Sequence, residues 1–362
     1  MSDAERGPQR LKCLVWDLDN TLWHGVLLEG DPVELRPGAP EAVRELDRRG
    51  ILQSVASKND EAEAMANLEA FGLTEYFLYP QIHWETKSES IKRIADCLNV
   101  GTNAIGFIDD DGFERAEVGF AHPDVLCLDA ASLPRLLEMP ELKPRFVTEE
   151  SAMRRSLYMA DMQRKEFQSD FSGTEAEFLA TLDMSFTIQP AGAGDLERAE
   201  ELAERTHQLN STGYTYSYQE LCALRTSPRH RLLTATLVDR FGSYGTIGLA
   251  LIELTRGVWT LKLLLASCRV MSRGVGGVML TYVMQAARRS GVALRAEFVP
   301  TDRNRLMNVT FRLAGFREIE RRGDEYVLLE SDLERVPVFP RWARIWCSGL
   351  SAGAPLPGDR RG

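Results

Sequence analysis

The feature that most constrains the fold is an alternation of short apolar runs and amphipathic stretches between residues 11 and about 130. The run LKCLVWDLD is typical of a buried strand, and PGAPEAVRELDRRG is typical of a helix with Pro near its start and Gly at its end. ILQSVAS and NAIGFIDD predict further strands, each beside a helical stretch. This alternation predicts an α/β fold, a parallel sheet with helices on both faces.

The pattern changes from Phe186 onward. RLLTATLVD, GTIGLALIEL and VWTLKLLLASCRV predict three consecutive strands, and the glycine-rich SRGVGG leads into the helical stretch VMLTYVMQAARRSG. This order predicts an α+β domain with an antiparallel start. We therefore expect five regions: an N-terminal tail over 1–10, the α/β domain over 11–130, a helical linker over 131–184, the α+β domain over 185–332 and a C-terminal tail over 333–362.

Composition narrows the possible partners. A formal net charge of −10 argues against a nucleic-acid partner, which needs a basic surface. No run reaches the ~20 apolar residues that span a bilayer, and the charged start MSDAERGPQRLK lacks the apolar core of a signal peptide. We therefore expect a cytoplasmic protein without a membrane partner. Six cysteines without a CxxC pair predict neither a disulfide framework nor a zinc site.

Two carboxylates follow the first predicted strand. VWDLDNTLW places Asp17 and Asp19 at the carboxyl edge of the expected sheet, where open α/β sheets bind their ligands. Alternation along an extended chain points two side chains that are separated by one residue in the same direction. Two carboxylates aimed at one spot repel each other unless a cation or a proton intervenes. The pair therefore suits a hard, oxygen-binding cation such as Mg²⁺.

The DxDxT pattern resembles the first motif of the haloacid-dehalogenase phosphatases and phosphotransferases. Ser57, at the end of ILQSVAS, fits the second motif of that family, and Asp109 and Asp110 fit the fourth. Lys87, at the start of a helix, fits the third, with Lys92 in the same helix as a competitor. The gaps between these motifs hold no full cap domain, so we expect only a short flap near residues 23–37 over the site.

The resemblance implies roles for these residues. Asp17 would attack phosphorus and form an aspartyl-phosphate, and Asp19 would act as general acid and then as general base. The implied magnesium ligands are Asp17, Asp19 through its carbonyl, and Asp109 or Asp110. The implied substrate- and phosphate-binding residues are Ser57, Lys87, Asn20 and Thr21.

The stretch SCRVMSRGVGGVML resembles the acyl-CoA-binding loop of the GNAT acetyltransferases, in which amides at a helix start bind a pyrophosphate. The resemblance implies a pantetheine-binding loop formed by Arg269, Arg273, Gly274, Gly276 and Asn304. It also places Cys268 beside the pantetheine arm, where its thiolate could exchange an acyl group. The alternative is that Cys268 only packs a strand end. Cys13 is a second candidate acyl carrier, for which a buried structural role is expected.

The combination of a cap-poor haloacid-dehalogenase domain and a GNAT-like half resembles the FkbH family from about Leu11 to Leu329. The stretches WETKSESI, RTHQLNSTGY and PTDRNRLMNVTF fit it as well. His24 and Asp111 depart from the family, which commonly carries Gly and Asn there.

The FkbH resemblance implies a glyceryltransferase that is also a phosphatase. Such an enzyme draws a glyceryl unit from D-1,3-bisphosphoglycerate and loads it onto an acyl carrier protein for polyketide biosynthesis. Two alternatives stay open at this point. One is a stand-alone magnesium-dependent phosphatase whose second domain is structural, and the other is a CoA-dependent acyltransferase whose first domain is regulatory.

Overall fold

The computed structural model describes residues 10–350 except 31, 207–208, 268–269, 271–272, 302 and 324. The chain divides into two compact units, unit 1 (Met1–Met159) and unit 2 (Ala160–Gly362). Among the described residues, no helix combines the length and the apolarity needed to cross a membrane.

Unit 1 is built on a five-stranded sheet in which every neighbouring pair is parallel. Its strands in chain order are β1 (Cys13–Trp16), β4 (Leu52–Ser57), β5 (Gln81–Ile82), β6 (Ile105–Asp109) and β7 (Leu126–Asp129). They lie side by side as β5-β4-β1-β6-β7. In chain order this is 3-2-1-4-5, the arrangement of a doubly wound sheet, in which ligands bind beyond the carboxyl ends of the central strands.

Four helices cross over between these strands: α1 (Ala39–Arg48), α2 (Glu61–Ala70), α3 (Lys87–Leu98) and α4 (Gly112–Ala121). Side-chain caps fix the starts of the last three, from Asp60, Thr86 and Asp111 respectively. The predicted flap is a two-stranded hairpin of β2 (Trp23–His24) and β3 (Glu34–Leu35). Because helix starts and the hairpin all follow strand ends, they meet at the carboxyl edge of the sheet.

Short helices occupy the chain between the two sheets: a 3₁₀ helix at Ala130–Glu138, α5 (Glu149–Ala152), α6 (Arg154–Ser169) and α7 (Glu175–Thr181). The predicted helical character of this stretch agrees with these elements.

Unit 2 contains an eight-stranded sheet. Its strands in chain order are β8 (Met184–Pro190), β9 (His230–Asp239), β10 (Gly242–Leu254), β11 (Val258–Ala266), β12 (Ala293–Phe298), β13 (Phe316–Arg322), β14 (Tyr326–Ser331) and β15 (Ala343–Cys347). They lie side by side in the order β13-β14-β12-β11-β10-β9-β8-β15. Neighbours are antiparallel except for the β11–β12 and β8–β15 pairs. The predicted antiparallel start is therefore present.

Helices cover both faces of this sheet: α8 (Leu196–Arg205), α9 (Tyr218–Thr226), α10 (Val275–Arg289) and α11 (Arg305–Leu313). Alternate residues of β11 serve the two faces. Leu263 and Leu265 share a buried cluster with residues of α8 and α9, whereas Leu264 shares one with residues of α10.

The predicted C-terminal tail over 333–362 is wrong in part, because β15 lies within it and pairs in parallel with β8. Five residue pairs, from Ala343 with Met184 to Cys347 with Ile188, extend the sheet. Ala343 and Ile345 are half-buried against the core and Arg344 and Trp346 are exposed, but this alternation covers only four residues and is too short to predict a strand. Its pairing partner lies far away in the chain, so the strand depends on a contact that local sequence does not encode.

A buried ion pair stabilises one end of the sheet of unit 2. Nε and Nη2 of Arg164 donate to the two carboxylate oxygens of Asp239 at 2.8 and 2.9 Å. The Tyr244 hydroxyl donates to the same carboxylate at 2.8 Å, and both charged side chains are almost fully buried. A buried pair of this kind is costly to break because the remaining charge stays in the interior.

We expect Asp239→Ala to lower the free energy of unfolding of unit 2 by about 3–5 kcal/mol, since it removes the carboxylate shared by Arg164 and Tyr244. Urea denaturation followed by circular dichroism measures the change. Glu320→Ala is the control, because it removes an ion pair with Arg322 that is exposed. Equal denaturation midpoints for the two variants would contradict the stabilising role of the buried Arg164–Asp239 ion pair.

Candidate active site and metal centre

The register of unit 1 brings carboxylates together at the carboxyl edge of the sheet. Trp16 of β1 lies opposite Ile108 of β6, so Asp17 and Asp109 follow at the same level on neighbouring parallel strands. Residues at the same level of adjacent strands are about 4.8 Å apart and point to the same side. Asp17, Asp109 and Asp110 each offer an oxygen, and these three oxygens lie within 4.8 Å of one another.

A buried lysine neutralises part of this charge. Lys87 is the first residue of α3, and its Nζ lies 2.8 Å from Asp17 Oδ1 and 2.5 Å from Asp109 Oδ2. Burial alone lowers the pKa of Lys87, but the charges of the two aspartates outweigh that effect and raise the pKa above its ordinary value. The competing Lys92 instead pairs with Asp96 on the exposed side of the helix. The structure therefore brings Lys87, and not Lys92, to the carboxylates.

The single positive charge of Lys87 does not balance the negative charge of the Asp17, Asp109 and Asp110 carboxylates. Burial raises the pKa of Asp17 to about 7, with Lys87 opposing the rise and Asp109 adding to it. Burial likewise raises the pKa of Asp109 against the effect of Lys87. The Lys87 ammonium group pairs with two of the three carboxylates, and all three offer oxygen ligands. The donor set therefore fits a hard divalent cation such as Mg²⁺, held by Asp17, Asp109 and Asp110.

Thr21 fixes the exposed member of the cluster. Its hydroxyl donates to Asp110 Oδ1 at 3.3 Å and accepts from the Asp110 amide at 3.0 Å. Asp111, the residue that departs from the family pattern, accepts from the Phe113 amide at 2.8 Å and caps α4. Asn caps helices as well as Asp does, so the departure leaves this contact possible.

Ser57 and Asn20, two of the predicted substrate- and phosphate-binding residues, differ in their burial and in their contacts. Ser57 ends β4 next to β1 and is buried at the same edge of the sheet. Asn20 is exposed, and its contacts lie within the turn and the flap. Its side chain accepts from the Gly25 amide at 3.2 Å, and its carbonyl accepts from Arg36 at 2.8 Å. The described contacts of Asn20 thus fasten the turn after β1 to the flap.

The Asp19 carboxylate is not among the three whose oxygens lie within 4.8 Å of one another, so the structure groups Asp17 with Asp109 and Asp110 and not with Asp19. The strand ends at Trp16 and the chain turns, and alternation no longer applies. Donors from two loops hold the carboxylate instead. Trp23 Nε1 donates to Oδ1 at 2.8 Å, and Asn59 Nδ2 donates to Oδ2 at 3.0 Å.

Sequence reasoning missed both of these donors. Trp23 lies at the start of the predicted flap, and no sequence pattern marks its indole N–H as a donor to Asp19. Asn59 stands just before Asp60, the residue that caps α2, and therefore resembled part of an ordinary helix start. The only available signal for Asn59 was its position two residues after Ser57.

In unit 2, Cys268 and Arg269 lie outside the described residues. Gly274 precedes α10 with a φ of +66°, a conformation that favours glycine, and a Cβ at Gly276 would meet nothing within 4 Å. Arg273 is buried, with its guanidinium carbon 5.3 Å from the centre of the Phe178 ring. The Arg273 side chain thus packs inside unit 2, and its predicted part in a pantetheine loop stays a prediction.

The two central parallel strands of unit 2 separate beyond their last paired residues, Leu261 and Ala296. A segment of the same chain, residues 209–211, lies between them. On one side Ser211 N donates to the Leu264 carbonyl, and Ala266 N to the Leu209 carbonyl, both at 2.9 Å. On the other side Val299 N donates to the Ser211 carbonyl at 3.0 Å. The segment thus takes up the hydrogen-bonding edge of β11 beyond Leu261.

Asn304 holds this segment in place. Its Nδ2 donates to the carbonyls of Asn210 at 3.0 Å and Val299 at 2.9 Å, and its Oδ1 accepts from Thr301 N at 2.9 Å. The side chain is buried, so its amide is satisfied within the protein. In this structure Asn304 fastens the chain's own backbone, and its predicted part in a pantetheine loop stays a prediction.

Among the described residues, the cysteines at positions 13, 97, 127, 222 and 347 form no disulfide. Cys13 is fully buried in β1, and burial raises the pKa of its thiol. Because the thiolate is the nucleophile, this environment suits the expected structural role and not acyl transfer.

No family model matches the chain. Magnesium-dependent phosphatase 1 of Homo sapiens is 29% identical over 119 residues, which cover 28% of this chain and 68% of that protein. The structure of the N-terminal part of the protein BF1531 from Bacteroides fragilis, containing a phosphatase domain complexed with Mg, is 29% identical with a TM-score of 0.34, covering 38% of this chain and 42% of that chain. The structure of the ribosomal-protein-S18-alanine N-acetyltransferase from Escherichia coli is 15% identical with a TM-score of 0.33. The match covers 40% of this chain and 92% of that chain.

The predicted fold class is confirmed. Among the described residues, unit 1 is an α/β unit with a parallel sheet and a two-stranded hairpin after β1, and unit 2 is an α+β unit in which helix α10 follows Gly274. The strand orders and the carboxylates at the sheet edge agree with this assignment.

We expect Asp110→Asn to weaken Mg²⁺ binding by about tenfold or more, because it removes one of three anionic ligands. Isothermal titration calorimetry with Mg²⁺ measures the affinity. The matched control is Asp111→Asn, which alters the neighbouring residue but preserves the cap of α4. Similar losses in both variants would indicate a general effect of charge and not a ligand at position 110.

We expect Asn304→Ala to lower the free energy of unfolding by about 1–3 kcal/mol, since it leaves two carbonyls, those of Asn210 and Val299, without a donor. Chemical denaturation of the full chain measures this loss. Unchanged stability combined with weaker binding of a holo carrier protein would instead support the ligand role first predicted for Asn304.

Proposed function

We propose that the chain is a magnesium-dependent enzyme that joins phosphoryl transfer in unit 1 to acyl transfer in unit 2. The observation that carries the proposal is the cluster of Asp17, Asp109 and Asp110 at the sheet edge, with Lys87 paired to the first two. The likeness to a protein named magnesium-dependent phosphatase supports the cofactor, Mg²⁺, and the first activity. When bound by the three aspartates, Mg²⁺ supplies positive charge at the phosphoryl oxygens.

The residues of unit 1 divide the phosphoryl chemistry among them. An oxygen of Asp17 attacks phosphorus, and the bond from phosphorus to the leaving oxygen breaks while Asp19 gives that oxygen a proton. Water then attacks the aspartyl-phosphate, Asp19 takes up the proton, and phosphate leaves with the Asp17 carboxylate regenerated. Lys87 holds Asp17 in place throughout and balances its charge.

We further propose that the substrate is D-1,3-bisphosphoglycerate and that the product is a glyceryl thioester on an acyl carrier protein for polyketide biosynthesis. The FkbH resemblance supports this finer assignment. The Cys268 thiolate would attack the acyl carbon of the mixed anhydride, whose bond to the phosphate oxygen breaks. The carrier's pantetheine thiolate would then attack the resulting thioester and release Cys268. Unit 1 would remove the remaining 3-phosphate, which is an unactivated ester.

One observation favours a second candidate function, a stand-alone phosphatase of a small phosphorylated metabolite with a structural unit 2. Residues 209–211 fill the gap between β11 and β12, and Asn304 fastens them there. A gap that the chain itself fills needs no ligand to complete its hydrogen bonds.

Intact-protein mass spectrometry tests the proposal. The full chain and a holo carrier protein would be incubated with Mg²⁺ and 1,3-bisphosphoglycerate generated in situ, using the wild type, Asp17→Asn and Cys268→Ala. We expect a dephosphorylated glyceryl adduct on the carrier, which stays phosphorylated or is absent with Asp17→Asn. An adduct on the enzyme that vanishes in Cys268→Ala would identify the acyl-carrying cysteine.

Two results would overturn parts of this proposal. Release of phosphate with an unmodified carrier would reject the glyceryl transfer and support the second candidate function, the stand-alone phosphatase. Full activity of Asp17→Asn would remove unit 1 from the reaction and favour an acyltransferase with a regulatory first unit. The Cys222→Ala variant is the matched cysteine control, because Cys222 lies in α9 and is a free thiol.

A further inference from the structure

The Asp19 carboxylate is held from two directions by groups that the proposed chemistry does not use. Its Oδ1 accepts from the Trp23 indole at 2.8 Å and from the Leu27 amide at 3.5 Å, both in the flap. Its Oδ2 accepts from Asn59 Nδ2 at 3.0 Å, in the loop after β4. Each oxygen therefore has its own donor, and the plane of the carboxylate is fixed.

The donor in the flap cannot easily move. Trp23 is fully buried although it belongs to a two-residue strand, and its ring centre lies 6.2 Å from that of Phe71. The hairpin pairing of Trp23 with Leu35 and the hydrogen bond from Arg36 N to the Leu22 carbonyl at 3.0 Å fix its backbone. An indole N–H can only donate, so this contact specifies an acceptor at Oδ1 of Asp19.

Asn59 carries the more informative signal. It is 1% exposed, yet its Oδ1 has no hydrogen-bond partner. A buried acceptor without a donor destabilises the folded chain, so the amide is poorly explained by stability alone. It does not cap α2 either, because Asp60 does so. Among the described residues, the hydrogen-bond partner of its side chain is Asp19.

We propose that Asn59 is a positioning residue that, together with the Trp23 indole, aims the Asp19 carboxylate at the leaving oxygen of the substrate. This inference rests on the phosphatase function proposed for unit 1. Asp19 stands outside the strand and outside the carboxylate cluster, so the sheet does not orient it. The two donors do so instead, from loops that follow different strands. Losing one of them leaves the carboxylate free to rotate, and proton transfer depends on its alignment.

The prediction separates positioning from structure through the leaving group. Asn59→Leu keeps the branched shape of the side chain, in a somewhat larger group, but has no donor and no unpaired acceptor. With the full chain and Mg²⁺, we expect kcat/KM for an alkyl phosphate to fall by about tenfold or more, since a poor leaving group needs the proton. We expect a much smaller fall in kcat/KM for p-nitrophenyl phosphate, whose leaving group departs without one. The comparison uses kcat/KM because it reports the steps up to loss of the leaving group, whereas kcat also includes hydrolysis of the aspartyl-phosphate, which both substrates share.

Trp23→Phe provides a second variant, which keeps an aromatic ring in the flap but removes the N–H. It should show the same difference between alkyl and aryl substrates even if its melting temperature falls. Asn67→Ala is the matched control, because Asn67 lies in α2 and donates to the Glu63 carbonyl, away from Asp19. It should behave as the wild type with both substrates.

The outcomes distinguish this inference from the function on which it rests. Equal losses on alkyl and aryl substrates in Asn59→Leu and Trp23→Phe, or no loss in either, would overturn the positioning role while an inactive Asp17→Asn upheld the phosphatase. An Asp17→Asn variant that still hydrolyses both substrates would overturn the proposed phosphatase function itself. A selective loss on the alkyl substrate in both variants supports the inference.

Discussion

The buried ion pairs of Lys87 join the elements from which the site of unit 1 is built. One ammonium group contacts Asp17 at the end of β1 and Asp109 at the end of β6, and it does so from the first turn of α3. Removing such a cation would leave two carboxylates side by side in the interior, where like charges destabilise each other. The relative placement of two strands and one helix therefore depends on the same contact that prepares the site for a metal ion.

Much of unit 1 could be predicted because its signals are local. Apolar runs that end in Asp17, Ser57 and Asp109 specify both the strands and the edge at which their side chains meet. The orientation of Asp19 could not be predicted in the same way. It depends on hydrogen bonds to Trp23 and Asn59, one from a hairpin and one from a loop, and neither contact follows from the period of a strand. Alternation gives the direction of a side chain only while the strand continues.

Unit 2 shows a different limit. The succession of strands along the chain and the helix after the glycine-rich stretch follow from the sequence pattern. The buried positions of the Arg273 and Asn304 side chains do not follow from it. Both are polar residues in stretches that resemble a ligand-binding loop, and both are turned inward by tertiary contacts. A polar residue beside a glycine loop has two ways to satisfy its hydrogen bonds, and only three-dimensional packing decides between a ligand and the chain's own carbonyls.

The pairing of β15 with β8 joins the last strand of the described chain to the first strand of the same sheet. During synthesis, β8 emerges early and keeps one edge unpaired until residue 347 has left the ribosome. All five strands of the unit 1 sheet, by contrast, are complete by Asp129. The nascent chain can therefore finish one sheet while β8 in the other still lacks its neighbour β15. The unpaired edge of β8 is the kind of surface that invites pairing with foreign strands.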